Sequence, residues 1–418
     1  MPNYREQPQG HFLMKRFSLL VVFSFIFLFL AIPAAWAGAF RYGLDVLDSE
    51  SCVQLRGKRV GLITNAAAVS RTGEPGYRVL LRNGVDLKFL MAPEHGFALE
   101  YEAGQKVGNA GMGENLKVWS LYGDSRKPDI SLLKTIDVLV FDLQDAGVRC
   151  YTYISTMKLA MEACSEAGVA FMVLDRPNPL APLPASGFVL EPRFESFVGA
   201  AELPFIHGMS VGEIAVWLQK RRYPGLSLQV VRMRGYRRDR FADDLPGFRF
   251  RPPSPNLRDF KTLLLYPATV MLEGTDVSEG RGTDAPFRMF GAPFIDSKAL
   301  IREIERYRLP GVEFHRTSFT PERNKFADVE CQGVRLKVTD RERFDPFLTS
   351  TVILLSLQKL WPVETGLHRQ ATFFDQLAGT SRYRVMIQQQ RPIGEILGAV
   401  RGQVRAFEAA SPDRYLYP

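Results

Sequence analysis

The stretch "LKFLMAPEHGFALEYEAG", Leu87 to Gly104, ends an apolar run on a carboxylate beside an imidazole, Glu94 and His95. These side-chain types move protons in general acid–base catalysis. Three other apolar runs also end on polar residues. "KRVGLIT" leads to Asn65, "IDVLVF" to Asp142, Gln144 and Asp145, and "VAFMVL" to Asp175, Arg176 and Asn178. A separate stretch, "LEGTDVSEGRGTDAPF", carries Glu273, Asp276, Glu279, Arg281 and Asp284 among glycines. Glycine lets a backbone approach a ligand closely, and Arg281 has the fork geometry to grip a carboxylate. Acids from this loop facing Glu94 across a cleft would suit glycoside hydrolysis, which needs two carboxyl groups around the scissile bond. The structural alternatives are plain: Asn65 and Asp175 as helix or turn caps, Asp142 as a loop anchor, Arg281 paired to a neighbour.

"GMSVG", Gly208 to Gly212, fits the GxSxG nucleophile elbow of serine hydrolases. An elbow needs a strand running into the serine, yet "ELPFIHG" is short and broken by proline. A capping box explains more, with Ser210 as N-cap and Glu213 three residues on, before "IAVWL". A serine esterase acting on envelope esters therefore stands as the alternative. No GxGxxG and no GxxxxGK[ST] is present, so no nucleotide is expected. Glu94 and His95 do not form HExxH, and His207, His315 and His368 are scattered, so neither a metal nor another cofactor is indicated.

The elements that must position these groups follow from hydrophobic pattern. Apolar runs without polar alternation mean strands buried on both faces, hence a parallel sheet covered by helices. Their alternation with helical patterns gives a doubly wound α/β domain, extended by "SVGEIAVWLQKRR" and "LSLQVVRM". In such sheets ligands bind beyond the carboxyl ends of the strands, where these polar residues converge. "FRFRPPSPN", Phe248 to Asn256, is the linker candidate, placing one domain at 38–255 and a smaller α+β domain at 256–418.

Of 418 residues, 46% are hydrophobic and 23% charged, an ordinary globular balance. Residues 1–37 stand apart: "MKR", then "FSLLVVFSFIFLFLAIPAA", then small residues at "AWA". This reads as a signal peptide cleaved near Ala37, with a retained anchor as the alternative. The product would be periplasmic or extracellular. Net charge is 53 − 45 = +8. Outside the cytoplasm that suits an anionic envelope polymer, or peripheral association with the envelope, rather than nucleic acid. No basic block carries interleaved aromatics. Four cysteines raise the question of disulfides. Cys150 and Cys164 flank about fourteen helical residues, ~21 Å, whereas a bridge needs under ~7 Å. Cys52 with Cys331 stays open.

Taken together, "YGLDVL", "GKRVGLITNAAAVS", "APEHGF", "VFDLQDAGVRCYTYISTM", "LDRPNPL", "HGMSVGE", "PPSPNL" and "LEGTDVSEGRGTDAPFRMFGAP" resemble the exo-β-N-acetylmuramidase family, from about Tyr42 to the C-terminus. The resemblance implies a Rossmann-like domain without nucleotide, a smaller C-terminal domain and an active site in the cleft between them. It implies release of β-linked N-acetylmuramic acid from the non-reducing end of peptidoglycan fragments. A protein that only binds such muropeptides is the further alternative. By the same resemblance Glu94 is the catalytic carboxylate, with His95 and Glu279 as catalytic partners. Asn65, Asp142, Gln144, Arg149, Tyr151 and Arg281 are expected to bind substrate, with Arg281 or Arg149 meeting the lactyl carboxylate.

Overall fold

Val138 to Phe141 are buried without exception, and so are Val60 to Ile63. Such strands need cover on both faces, and they find it. The structure, a computed structural model, describes residues 1–3, 39–112 and 116–418; the apolar N-terminal run and the expected cleavage near Ala37 lie outside them. Strands β1 (Arg59–Ile63), β2 (Asp86–Ala92), β3 (Ala110–Met112), β4 (Leu116–Ser120), β5 (Val138–Phe141), β6 (Ala170–Leu174) and β7 (Leu228–Val231) form one sheet. Its order is β3-β4-β2-β1-β5-β6-β7, parallel except for the edge pair β3–β4. The edge pair carries no clear apolar signal: β4 alternates buried and partly exposed residues.

Side chains alternate across the sheet with the two-residue period of a strand. Val138 and Val140 join a core with Leu44, Leu47, Val79 and Leu80 from helices Gly43–Ser49 and Gly76–Arg82. Leu139 and Phe141 join the opposite core with Ile154, Met157 and Met161 of helix Tyr153–Ala167. That second core continues without a break into the C-terminal part, through Phe290, Val334, Phe347 and Tyr383. Each such side chain contributes ~1.5–3 kcal/mol by leaving water. A shared core makes the two parts one body and fixes the walls of the cleft between them.

The C-terminal part holds an antiparallel sheet of β8 (Met289–Ala292), β9 (Val312–Phe319) and β10 (Cys331–Val338), in the order β8-β10-β9. "FLTSTVILLSLQKL" belongs to helix Pro346–Leu360, started by proline in its first turn and capped by the Asp345 carboxylate.

Ser210 is the N-cap of helix Val211–Arg222. Its oxygen accepts from Glu213 N at 3.3 Å, and the Glu213 carboxylate accepts from Ser210 N at 2.8 Å. The hydroxyl also donates to Asp175 at 2.8 Å, and Tyr417 donates to the same carboxylate at 2.6 Å. Burial pushes the Asp175 carboxyl up to about 6, while the Tyr417, Gly212 and Ser210 donors pull it down. Tyr417→Phe should therefore destabilise the protein by ~1–3 kcal/mol, the cost of leaving a buried acceptor short of a donor. The missing donor matters most to the ionised carboxylate. Without that donor the carboxyl pKa rises further, so the loss should be full at alkaline pH and shrink as pH falls toward about 6, which thermal unfolding at several pH values would read.

Candidate active site

A cavity of about 540 Å³ opens where the carboxyl ends of β2 and β4 meet the loop before helix Tyr153–Ala167 and, from the C-terminal part, the glycine-rich loop. Glu94, His95, Tyr122, Thr152, Glu273, Glu279 and Arg281 line it.

Glu94 follows β2 and is 5% exposed. Gly104 N donates to its Oε1 at 2.8 Å, and the Thr152 hydroxyl donates to Oε2 at 2.6 Å. Thr152 is the N-cap of its helix but makes no side-chain cap, because its hydroxyl is turned to Glu94. His95 takes a left-handed backbone, φ 74°, unusual for a residue with a Cβ and a feature that marks functional turns. Its Nδ1 lies 2.8 Å from Tyr101 O. Burial holds the imidazole below its ordinary pKa, against the pull of Glu94. His95 is thus a neutral neighbour rather than a counter-ion.

The opposite wall is built of paired charges. Arg281 contacts Glu273 at 2.7 Å and Glu279 at 3.3 Å. Burial works against its charge, but the two carboxylates outweigh it and raise its pKa. Lost solvation pushes the Glu273 carboxyl up, with Arg281 opposing. Lys325 Nζ donates to Leu272 O at 2.7 Å, to Glu273 O and Val277 O at 3.1 Å, and to Glu279 at 3.3 Å. Glu94 has no Lys or Arg partner among the described residues.

Tyr151 lines the cavity, its ring 4.8 Å from that of Tyr153. The other expected contacts turn elsewhere. Asn65 donates to the Tyr153 hydroxyl at 2.9 Å and accepts from Ala67 N, closing a turn behind the site. Asp142 is fully buried and paired with Arg176 at 2.6 Å. Gln144 donates to Asp145 O and Pro177 O beside a crevice of about 10 Å³, too small for a sugar. Arg149 is sealed: it donates to Phe188 O, Leu203 O and Leu377 O at 2.6, 2.8 and 3.0 Å. Burial lowers its pKa to about 10. It supports the cavity from behind through Leu377, and Gly379 must lack a Cβ because one would lie 2.5 Å from its guanidinium. The central strand ends of the sheet are therefore plugged, and the cavity is displaced toward β2 and β4.

Pattern reading missed Thr152, Tyr122, Arg126 and Lys325 as wall residues. Thr152 alone had a signal, as the polar residue preceding a helical run. Cys150 also lines the cavity, but burial pushes its thiol up to about 12, which rules against a thiolate nucleophile. All four cysteines are free and buried, so Cys52 and Cys331 do not pair.

The elbow reading of Ser210 fails on neighbours. Among the described residues no histidine contacts its hydroxyl, and His207 accepts from Met209 N while its Nε2 lies 3.3 Å from Asp145. A second cavity of about 620 Å³, lined by Arg240, Arg343 and Asp345, holds none of the expected residues.

With this geometry in view, comparison with known proteins is specific. Residues 60–261 match the model of the N-terminal domain of the exo-beta-N-acetylmuramidase NamZ, and residues 264–417 that of its C-terminal domain. The chain is 39% identical over 379 residues to the peptidoglycan beta-N-acetylmuramidase NamZ of Bacillus subtilis strain 168, covering 90% of this chain and 91% of that one. Crystal structures of two DUF1343 family proteins of Bacteroides fragilis are similar. One gives a TM-score of 0.83 at 31% identity, the other 0.73 at 26%, each covering 91% of this chain and 99% of its own.

Proposed function

The chain belongs to the exo-beta-N-acetylmuramidase family, and we propose that it removes β-linked N-acetylmuramic acid from the non-reducing end of peptidoglycan fragments. The observation that carries the chemistry is the contrast among cavity carboxylates. Glu273 and Glu279 are ion-paired, whereas Glu94 is held by neutral donors only. A general acid must present a free protonated oxygen to the substrate, and the Glu273 and Glu279 carboxylates are engaged by guanidinium or ammonium donors.

Glu94 is therefore the proton donor to the departing glycosidic oxygen. Gly104 fixes Oε1, leaving Oε2, shared with the Thr152 hydroxyl, as the oxygen that holds and delivers the proton. Glu279, braced by Arg281 and Lys325, presents negative charge toward the sugar carbon as it becomes cationic. The volume suits a terminal sugar rather than a long glycan. The apolar N-terminal run directs the enzyme to the periplasm or beyond, where its substrate lies, and the basic surface favours residence at the envelope.

Release of the aryl alcohol from an aryl β-N-acetylmuraminide by the purified protein tests the reading; binding of muropeptides without turnover would leave a carrier instead. Ser210→Ala separates the esterase alternative. It should retain muramidase turnover and lose ~1 kcal/mol of stability with the cap. An esterase would lose all activity.

A further inference from the structure

N-acetylmuramic acid differs from N-acetylglucosamine by a lactyl ether at C3, whose carboxylate is free when no stem peptide is attached, and a site that reads that carboxylate needs a cation with free donors. Arg149 is sealed behind the wall, and Arg281 is committed to Glu273 and Glu279. Lys325 spends its donors on three carbonyls and Glu279. Arg126, at the cavity mouth, makes no ion pair among the described residues. Its guanidinium lies 4.2 Å from the centre of the Phe197 ring and 4.8 Å from that of Tyr122, and its remaining contact is 3.5 Å to the Tyr122 hydroxyl. The two rings hold the guanidinium in place without a carboxylate partner for its donors, an arrangement that suits bidentate capture of a carboxylate.

Resting on the muramidase reading above, we propose that Arg126 is the specificity residue that receives the lactyl carboxylate of the terminal sugar. Its neighbour Tyr122 joins it to the reacting centre. Burial and the charge of Glu94 push that phenol up to about 12, so it stays a donor between the two. One sugar can then present C1 to Glu94 and its C3 substituent to Arg126. Arg126 is exposed, so its replacement does not threaten the fold.

The test compares kcat/KM on three aryl β-glycosides: the muraminide, its lactyl methylamide and the N-acetylglucosaminide. For the wild type the free acid should be preferred over both. In Arg126→Gln and Arg126→Ala that preference should fall about 10- to 100-fold, with Arg126→Lys keeping part of it. Equal losses on all three substrates, or none, would overturn the assignment while wild-type turnover of the muraminide leaves the functional reading intact. A muraminide carrying a stem peptide with a free carboxyl supplies the last arm. A loss confined to that substrate would give Arg126 to the peptide carboxylate and overturn the lactyl assignment.

Discussion

Glu94→Gln should lower kcat on natural muropeptides by about a hundredfold or more, with binding and fold nearly unchanged. The amide keeps the shape: its oxygen still accepts from Gly104 N and its NH2 faces the Thr152 hydroxyl oxygen, but it has no acidic proton to give. A substrate with a very good leaving group needs little protonation and should be partly spared. Rates measured across a leaving-group series would show this as a steeper dependence in the variant. A uniform loss across the series would assign Glu94 to positioning, and an unchanged rate would pass the role of acid to Glu279.

Arg281→Met should cost ~3–5 kcal/mol of stability, the penalty for removing one partner of a buried charge cluster. Glu273 and Glu279 lose their shared counter-charge, and Glu279 is left with Lys325 alone. The sign with pH follows from their chemistry. Without the guanidinium, the folded-state pKa values rise, so the penalty is full at high pH and eases as protons bind on acidification. Urea midpoints at several pH values check both magnitude and direction. Turnover should fall alike on muramic and glucosamine substrates, because the residue braces the wall. A stability unchanged from wild type, with loss confined to muramic substrates, would return Arg281 to the role that its motif first suggested.

The sheet was legible wherever strands carried unbroken apolar runs, as at Val138–Phe141 and Ala170–Leu174. It was not legible at β3 and β4, where strands of three and five residues give too few apolar positions to read. The site divides in the same way. Glu94, His95, Glu279 and Arg281 lie in local segments that announce themselves by turn and glycine chemistry, and they line one cavity. Convergence at the strand ends, however, did not say which polar residues face a ligand. Asp142 and Arg176 neutralise each other across 34 positions of sequence, and three carbonyls far apart in the chain consume Arg149. Such pairings are tertiary facts, and they turn apparent ligand contacts into plugs. Arg126 escaped for the opposite reason. "LYGDSR" is an ordinary polar turn until the fold brings Tyr122 and Arg126 into the cavity that Glu94 lines.

The central claim, removal of one terminal muramic acid at a time, is tested most directly on a defined tetrasaccharide. Its sugars alternate, with N-acetylmuramic acid at the non-reducing end and N-acetylglucosamine at the reducing end. Products are followed with time by mass spectrometry. The account predicts free N-acetylmuramic acid and a trisaccharide ending in N-acetylglucosamine, at which the reaction stops. Disaccharide as the first product, or release of N-acetylglucosamine from an oligomer that begins with it, would contradict the account.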